Sequence, residues 1–245
     1  MLLILGPDRL LYRGPPVDGA RHRHHALQLA LSLGEPLRLE ADGAVQQAMG
    51  FTIAADTAHQ LSGGAPQVAL LYLEPESAAG TQLSARMHAA VQAWQPSSTL
   101  KSAAATEEDE AFALIDTLWL AELGVAASSL PPILDVRVAD TLAHLAATPG
   151  EPHSAAALSA RVQLSPDRLM HLFAQGTGTS LRSYALWAKL KTALHQALAG
   201  ATLTEAAHAA GFADSAHLSH SFKAMFGLPP RFLFERRAGL VVRFR

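Results

Sequence analysis

Four side chains near the start of the chain have types and spacing that suit a ligand. His22, His24 and Gln28 lie in "RHRHHALQL" (21–29), and His59 ends "GFTIAADTAH" (50–59). In extended backbone, residues two apart point the same way, so His22, His24 and Gln28 share one face, while His25, Leu27, Leu29 and Leu31 share the other. Three imidazoles and an amide are neutral nitrogen and oxygen donors of the kind that hold Zn²⁺, Ni²⁺ or Fe²⁺. The same groups could hydrogen-bond an organic effector, or fill a structural role at the mouth of a barrel. All three readings stay open on the sequence.

A second set sits in "GFADSAHLSHSFKAMFG" (211–227). On a 3.6-residue period Leu218, Phe222, Met225 and Phe226 form one stripe, while Ala216, His220 and Lys223 point the opposite way, with His217 and Ser219 on the flanks. Asp214 can cap this helix and Gly227 can end it. One face must pack inward; the other offers hydrogen bonds and charge to solvent or to a partner.

The elements that position the first set read as β-structure. "ALQLALSL" (26–33), "PLRLEA" (36–41), "FTIAA" (51–55) and "QVALLYLEP" (67–75) are short apolar or alternating runs separated by turn signals, as in an antiparallel barrel or sandwich. After Pro75 the spacing becomes helical, over 82–94 and 107–123. Phe112, Ile115 and Trp119 make a stripe that is either intramolecular core or a dimer seam. "SSLPPI" (128–133) marks the domain join, because consecutive prolines stop a helix and stiffen a linker. Beyond it the pattern predicts helices over 135–147, 154–162, 166–175, 180–198, 203–210 and 215–226, then a short tail segment.

Composition narrows the classes. The chain has 245 residues, 49% of them hydrophobic, which is material for two cores. It has no cysteine, which rules out disulfides, zinc–thiolate sites and a cysteine nucleophile. "MLLIL" before Gly6 and Pro7 is too short for a signal-peptide core, and no run approaches membrane-spanning length. The expectation is a soluble, cytoplasmic protein. Residues 1–149 carry 8 Lys/Arg and 16 Asp/Glu, and residues 150–245 carry 11 and 5. A polyanion would be repelled by the first part and attracted by the second.

The helical part contains a repeat. "ALSARVQLSPDRLMHLF" (157–173) and "EAAHAAGFADSAHLSHSF" (205–222) are each a short helix, a tight turn and a second helix, and Leu169/Phe173 recur as Leu218/Phe222. The first helices match at an offset of 48 and the second helices at 49. Ser165 followed by Pro166 starts one second helix as Asp214 starts the other. This is a doubled helix-turn-helix. The intervening helix, 180–198, spans roughly 28 Å at 1.5 Å per residue. Reading helices at its two ends would lie near one turn of B-DNA apart, about 34 Å.

Here the sequence resembles the DNA-binding domain of the AraC/XylS family of bacterial transcription regulators, over about residues 131–237. The motifs are "GF-x-D" at 211–214, then His217, Ser219, Phe222, Lys223, Phe226, Gly227 and Pro230. The first copy adds "LSP-x-x-L-x-x-LF" (164–173), "TG-x-S" (177–180), Tyr184 and "KL-x-x-A" (189–193). The resemblance implies base contacts from Asp167, Arg168, Met170 and His171 on the first reading helix. On the second it implies Ser215, Ala216, His217, Ser219 and His220. Arg182 and Lys223 suit phosphates, which position a protein without reading sequence. Five positions depart from the pattern: His171 and His220, equivalent in the two repeats, stand where arginine is common, Gln163 replaces a turn glycine, Leu181 a proline and Leu233 an aromatic. A left-handed backbone at Gln163 would cost about 1 kcal/mol.

Towards the N-terminus, His22, His24 and Gln28 resemble the first cupin motif, H-x-H-x-x-x-E, with Gln28 in the carboxylate's place, and His59 resembles the lone histidine of the second. The expected fold is two-domain. Residues 1–127 form a mainly antiparallel β, cupin-like effector and dimerisation domain, with the barrel over about 1–76 and a helical hairpin over about 78–124. A linker follows at 128–134, and then an all-α DNA-binding domain at 135–245, with helix-turn-helix units at about 154–175 and 203–226.

The expected function is a sequence-specific transcription regulator, not an enzyme, controlled by a small-molecule effector at His22, His24, Gln28 and His59. A divalent metal at the same four residues is the cofactor alternative. Expected partners are double-stranded promoter DNA, the effector, a second copy of the chain and RNA polymerase, with no membrane. Competing readings are a metal-dependent cupin enzyme and a helical adaptor with weak DNA affinity. The DNA-repair alkyltransferases that share this helical domain are excluded, because they need a cysteine acceptor.

Overall fold

The computed structural model describes the chain except for residues 7, 17, 18, 107, 109–111, 113, 127–133, 228, 231–240 and 245, and the side chains of 241–244. The expected linker and Leu233 therefore fall largely or wholly outside the described residues. Two compact units result: Met1–Pro132 together with Phe226–Arg245, and Ile133–Met225.

The first unit is built on β1 (Leu2–Leu5), β2 (Arg9–Gly14), β3 (Leu27–Ser32), β4 (Leu37–Ala41), β5 (Ala44–Ala48), β6 (Gly50–Ile53), β7 (His59–Gly63), β8 (Val68–Leu73), β9 (Val91–Trp94) and β10 (Val241–Phe244). One sheet has the order β10-β1-β2-β8-β3-β6-β9, and a smaller one the order β5-β4-β7. Every pairing is antiparallel except that of β10 with β1, which is parallel.

Period-2 alternation on the central strand β3 sorts its side chains. Leu27, Leu29 and Leu31 join Leu71 and Leu73 of β8 in the core beneath the helices α1 (Ala78–Arg86), α2 (Ser98–Ala104) and α3 (Ile115–Glu122). Gln28 therefore points to the opposite face, where its register partner on β8 is Tyr72. Phe112, Ile115 and Trp119 are fully buried in this core, which decides their stripe as intramolecular packing rather than a dimer seam.

Three elements differ from the sequence expectation. The helix expected over 82–94 ends with Arg86, because Met87 turns to extended backbone (ψ 127°). Residues 91–94 instead form the edge strand β9 on β6, where Trp94 lies over Gly50, a position at which a Cβ would come within 2.6 Å of the indole. Helix α2 was not expected; Ser97 caps it by accepting a hydrogen bond from the Leu100 N–H. The tail, expected to belong to an all-α domain, forms β10 instead: β1 is the outer strand of the N-terminal sheet until β10 pairs with it.

The second unit is helical: α4 (Val136–Ala147), α5 (Ala155–Arg161), α6 (Pro166–Thr177), α7 (Leu181–Leu198), α8 (Leu203–Ala209) and α9 (Ser215–Phe226, its last residue grouped with the first unit). Val138, Leu145, Leu158, Leu169, Phe173 and Tyr184 form the core around the first helix-turn-helix. Leu190, Leu194, Ala206, Ala207, Phe212, Leu218 and Phe222 are buried around the second.

Backbone hydrogen bonds make the repeat explicit. Gln163 N–H donates to Ala160 O and Leu164 N–H to Ser159 O. At an offset of 48, Gly211 N–H donates to His208 O and Phe212 N–H to Ala207 O. The caps repeat at 49: Arg168 N–H donates to Ser165 Oγ, and His217 N–H to Asp214 Oδ1. Both turns place one residue in the left-handed region, Gln163 at φ 55° and Gly211 at φ 73°. Among the described residues no helix is long and apolar enough to cross a membrane.

Candidate nucleic-acid interface and ligand cluster

Helices α6 and α9 each bury one stripe and expose the other. On α6, Leu169 and Phe173 are buried, while Asp167, Arg168, Met170 and His171 are exposed. Met170 is 43% exposed, on the same outward face as Asp167 and His171. On α9, Leu218, Ser221, Phe222 and Met225 are buried. Ala216, His217, His220 and Lys223 are exposed, and Ser215 and Ser219 are half-buried. Ser219 Oγ donates to Ser215 O, so this hydroxyl is engaged along its own helix. Arg182, on the first turn of α7, is exposed, and Leu181 beside it is buried and belongs to the core around the first repeat.

Other basic residues of this unit have structural partners. Arg137 pairs with its cap Asp135 at 2.6 Å, and Arg161 pairs with Asp140 at 2.8 Å. Lys189 Nζ donates to Gly211 O at 3.0 Å and lies 5.9 Å from the Phe212 ring centroid, which pins the second turn to α7. Five of the eleven Lys/Arg in residues 150–245 follow residue 225. The charge offered by α6, α7 and α9 is therefore carried largely by Arg168, Arg182 and Lys223, with histidines between them.

In the first unit, His22, His24, His59 and Gln28 come together. Two backbone segments are stitched side by side: His22 N–H donates to His59 O, His59 N–H to His22 O (both 2.9 Å), and Asp56 N–H to His24 O at 2.8 Å. The three rings then lie 4.5–5.5 Å apart by centroid, and one potential ligand atom from each falls within 4.8 Å of the others. His24, His59 and Gln28 are buried and His22 is half-buried. Tyr72 sets its ring edge-on to His24 at 5.2 Å. The sequence reading did not name Tyr72; the signal was its place in the alternation of 68–73, on the face opposite Leu71 and Leu73.

Protons show what the cluster is short of. Each histidine places Nδ1 2.8 Å from a backbone carbonyl: His22 on Ala20, His24 on Ala26 and His59 on Thr57. A carbonyl only accepts, so each Nδ1 carries the hydrogen and Nε2 is left as a lone pair in the neutral ring. Yet Nε2 of His24 and of His59 lie 2.9 and 3.0 Å from Gln28 Oε1, a second acceptor. Protonating both rings is disfavoured: burial first, then the neighbouring histidines, holds His24 down to about 4 and His59 to about 3, and burial also lowers His22. Two arrangements relieve the conflict. The Gln28 amide turns and gives its two N–H groups to the two lone pairs, or a cation stands between the lone pairs and the amide oxygen. Histidine ligands to metals commonly donate the other ring N–H to a carbonyl, so the donor set fits a divalent ion such as Zn²⁺, Ni²⁺ or Fe²⁺.

Residues 158–236 match the family model described as a helix-turn-helix domain. No curated protein matches the chain in sequence. ToxT from Vibrio cholerae is similar in structure, with a TM-score of 0.62 at 11% identity over 92% of this chain and 97% of that one. Wild-type ToxT from Vibrio cholerae strain SCE256 with an unsaturated fatty acid bound gives 0.62 at 12% identity, over 93% and 95%. A transcriptional regulator with an AraC-type DNA-binding domain, from Chromobacterium violaceum, aligns with 42% of this chain and 93% of its own length, at 25% identity and a TM-score of 0.40.

The chain thus joins a mainly antiparallel β unit to a helical unit that carries a doubled helix-turn-helix, the domain class typical of DNA-binding proteins. The match over residues 158–236 shows a helix-turn-helix domain, and the likeness to ToxT shows a shared fold over most of the chain.

Proposed function

We propose that the second unit reads promoter DNA with the exposed faces of α6 and α9, and that the first unit senses its effector at His22, His24, Gln28 and His59. The observation that carries the DNA reading is the repeat itself. Two turns with the same hydrogen-bond pattern and the same left-handed residue flank α7, which is about 27 Å long at 1.5 Å per residue. That length suits two reading helices in successive major grooves on one side of a duplex. Asp167, Arg168, Met170 and His171, and Ser215, Ala216, His217, Ser219 and His220, are the base-facing groups. Arg182 and Lys223 are the phosphate contacts.

The effector assignment rests on two neutral, buried histidines whose Nε2 atoms converge on the Gln28 side-chain amide, with His22 beside them. ToxT, whose fold the chain shares, has been solved with an unsaturated fatty acid bound, which supports a small-molecule ligand in such a fold. A divalent ion is the second candidate, supported by the Nδ1-to-carbonyl anchoring of all three rings. We assign binding rather than catalysis to this cluster. The working form is a cytoplasmic homodimer that acts on RNA polymerase at its promoter, with Leu114 (59% exposed) and Leu118 (46%), one turn apart on α3 and its N-cap, as the apolar pair suited to the second copy.

Selection of binding sites from random duplex DNA tests the reading. The expected outcome is an enriched motif with two half-sites about one helical turn apart. His220→Ala should change the base preference within one half-site, whereas Lys223→Ala should weaken all sequences alike. Equal losses on selected and random duplex for both variants would overturn the assignment.

A further inference from the structure

We propose that the two reading helices recognise unlike half-sites, and that α6 takes the one presenting cytosine and thymine in the major groove: Asp167 accepts from a cytosine amino group, and Met170 lies against a thymine methyl. This rests on the reading of α6 and α9 as the base-facing helices.

Equivalent positions of the two repeats differ in chemistry. At the offset of 49 that aligns the caps, Asp167 corresponds to Ala216, Arg168 to His217, Met170 to Ser219 and His171 to His220. Only the last pair agrees. Asp167, Met170 and His171 are exposed and fall within about 100° of one face of α6, with Arg168 about 60° to the side. The middle of this face therefore carries an acid and a thioether. On α9 the same places carry a methyl group and a hydroxyl that is bonded to Ser215 O. Faces so unlike select different bases.

Asp167 decides one of those bases. Ser165, not Asp167, makes the helix cap by accepting from the Arg168 N–H. A carboxylate on a DNA-facing helix is repelled by every phosphate nearby, so its place there calls for a hydrogen-bond donor on a base edge. An ionised carboxylate only accepts. In the major groove guanine offers two acceptors and thymine one, and adenine sets its donor beside an acceptor; cytosine presents an amino group alone. Met170 stands three residues on, roughly 4.5 Å along the helix axis and so close to one base-pair step of about 3.4 Å. Thymine's methyl is the apolar group on that base edge, and a thioether side chain covers it without leaving a polar atom unpaired. Arg168, the one guanine-suited fork on α6, lies at the flank, and its charge also acts on Asp135 at the cap of α4.

The test uses the full chain and selection from random duplex DNA, followed by affinities on single duplexes. The selected motif should have two half-sites of different sequence, one with cytosine and thymine on neighbouring base pairs. Asp167→Asn should move the cytosine preference to adenine at that base pair alone, because an amide matches adenine N6 and N7, and the ratio of the two affinities should change by about tenfold or more. Replacing the thymine with deoxyuridine, which lacks only the methyl, should weaken the parent protein about fourfold. Met170→Gln should be indifferent to that replacement. Circular dichroism checks that both variants fold, and the deoxyuridine duplex, which leaves the protein unchanged, keeps the test decisive if either does not.

Two half-sites of the same sequence would overturn the proposal. So would a cytosine preference kept by Asp167→Asn, which would leave Asp167 as a carboxylate that only favours the positive end of its helix. Equal affinity of the parent for thymine and deoxyuridine duplexes would remove Met170 from the readout. In each of these cases the DNA reading itself stands, whereas the absence of any enriched motif would overturn that reading and the proposal with it.

Discussion

Replacing Gln163 with glycine and Gly211 with alanine exchanges the chemistry of two equivalent turn positions. Both residues are left-handed, at φ 55° and φ 73°, and both donate to the same carbonyl of the preceding helix, Ala160 and its counterpart His208. A non-glycine residue in that region costs roughly 1–2 kcal/mol, and glycine returns about 0.4–1 kcal/mol of that through the freedom of the unfolded chain. Gln163→Gly should therefore stabilise the second unit by about 0.5–1 kcal/mol. Gly211→Ala meets the same backbone strain and a collision besides: its Cβ would lie 2.3 Å from Gly150 O and 2.8 Å from Gly150 C and Cα. Backbone atoms do not move aside as a flexible side chain does, so overpacking adds about 1–3 kcal/mol, for a total loss of about 2–4 kcal/mol. Urea unfolding followed by far-ultraviolet circular dichroism reads both. For a domain of this size about 1 kcal/mol corresponds to 4–8 °C, so thermal midpoints should separate by well over 10 °C. A Gly211→Ala protein as stable as the parent, or a Gln163→Gly protein less stable than it, would refute the equivalence of the two turns.

Three further outcomes are expected. Truncating Phe173, which is fully buried with its ring 5.7 Å from that of Tyr184, should cost about 3–5 kcal/mol in the same urea assay; a loss below about 1 kcal/mol would mean that this core is not packed as described. Lys223→Ala should reduce the slope of log affinity against log salt by about 1, read by fluorescence anisotropy on one duplex, whereas an unchanged slope would remove Lys223 from the phosphate contacts. His24 titrates near 4 in the folded protein and near 6.5 when unfolded, so the unfolded chain binds more protons between those values. The stability conferred by the neutral, buried ring is complete above pH 6.5 and declines as the pH falls towards 4, by on the order of 3 kcal/mol. A urea midpoint that stays flat from pH 7 to pH 4.5 would contradict that burial.

The second helices of the two repeats were legible because their signals are local. Ser165-Pro166, Asp214 and the apolar stripes set the limits of α6 and α9, and a repeat at offsets of 48 and 49 needs only comparison of the chain with itself. The faces of β3 were legible for the same reason: alternation puts Gln28 opposite Leu27 and Leu29 whatever the strand pairs with. Helical spacing misled over 91–94, where "VQAW" fits a helix as well as an edge strand and only pairing with β6 decides between them. The stripe of Phe112, Ile115 and Trp119 could face a second copy or its own sheet, because periodicity states that a face is buried but not by what.

By itself, then, the sequence determined the class of this protein: doubled helix-turn-helix units, the polar groups on their outer faces, and a β-rich N-terminal part carrying three histidines and a glutamine. Helix caps, turn residues and period depend on neighbours a few residues away, so a linear string records them. Tertiary structure decided that His59 reaches His22 and His24, that Tyr72 stands beside them, and that the tail forms a strand on β1. These contacts join residues from 35 to more than 200 positions apart, and nothing in local conformational preference encodes which distant strand or loop a backbone hydrogen bond will choose.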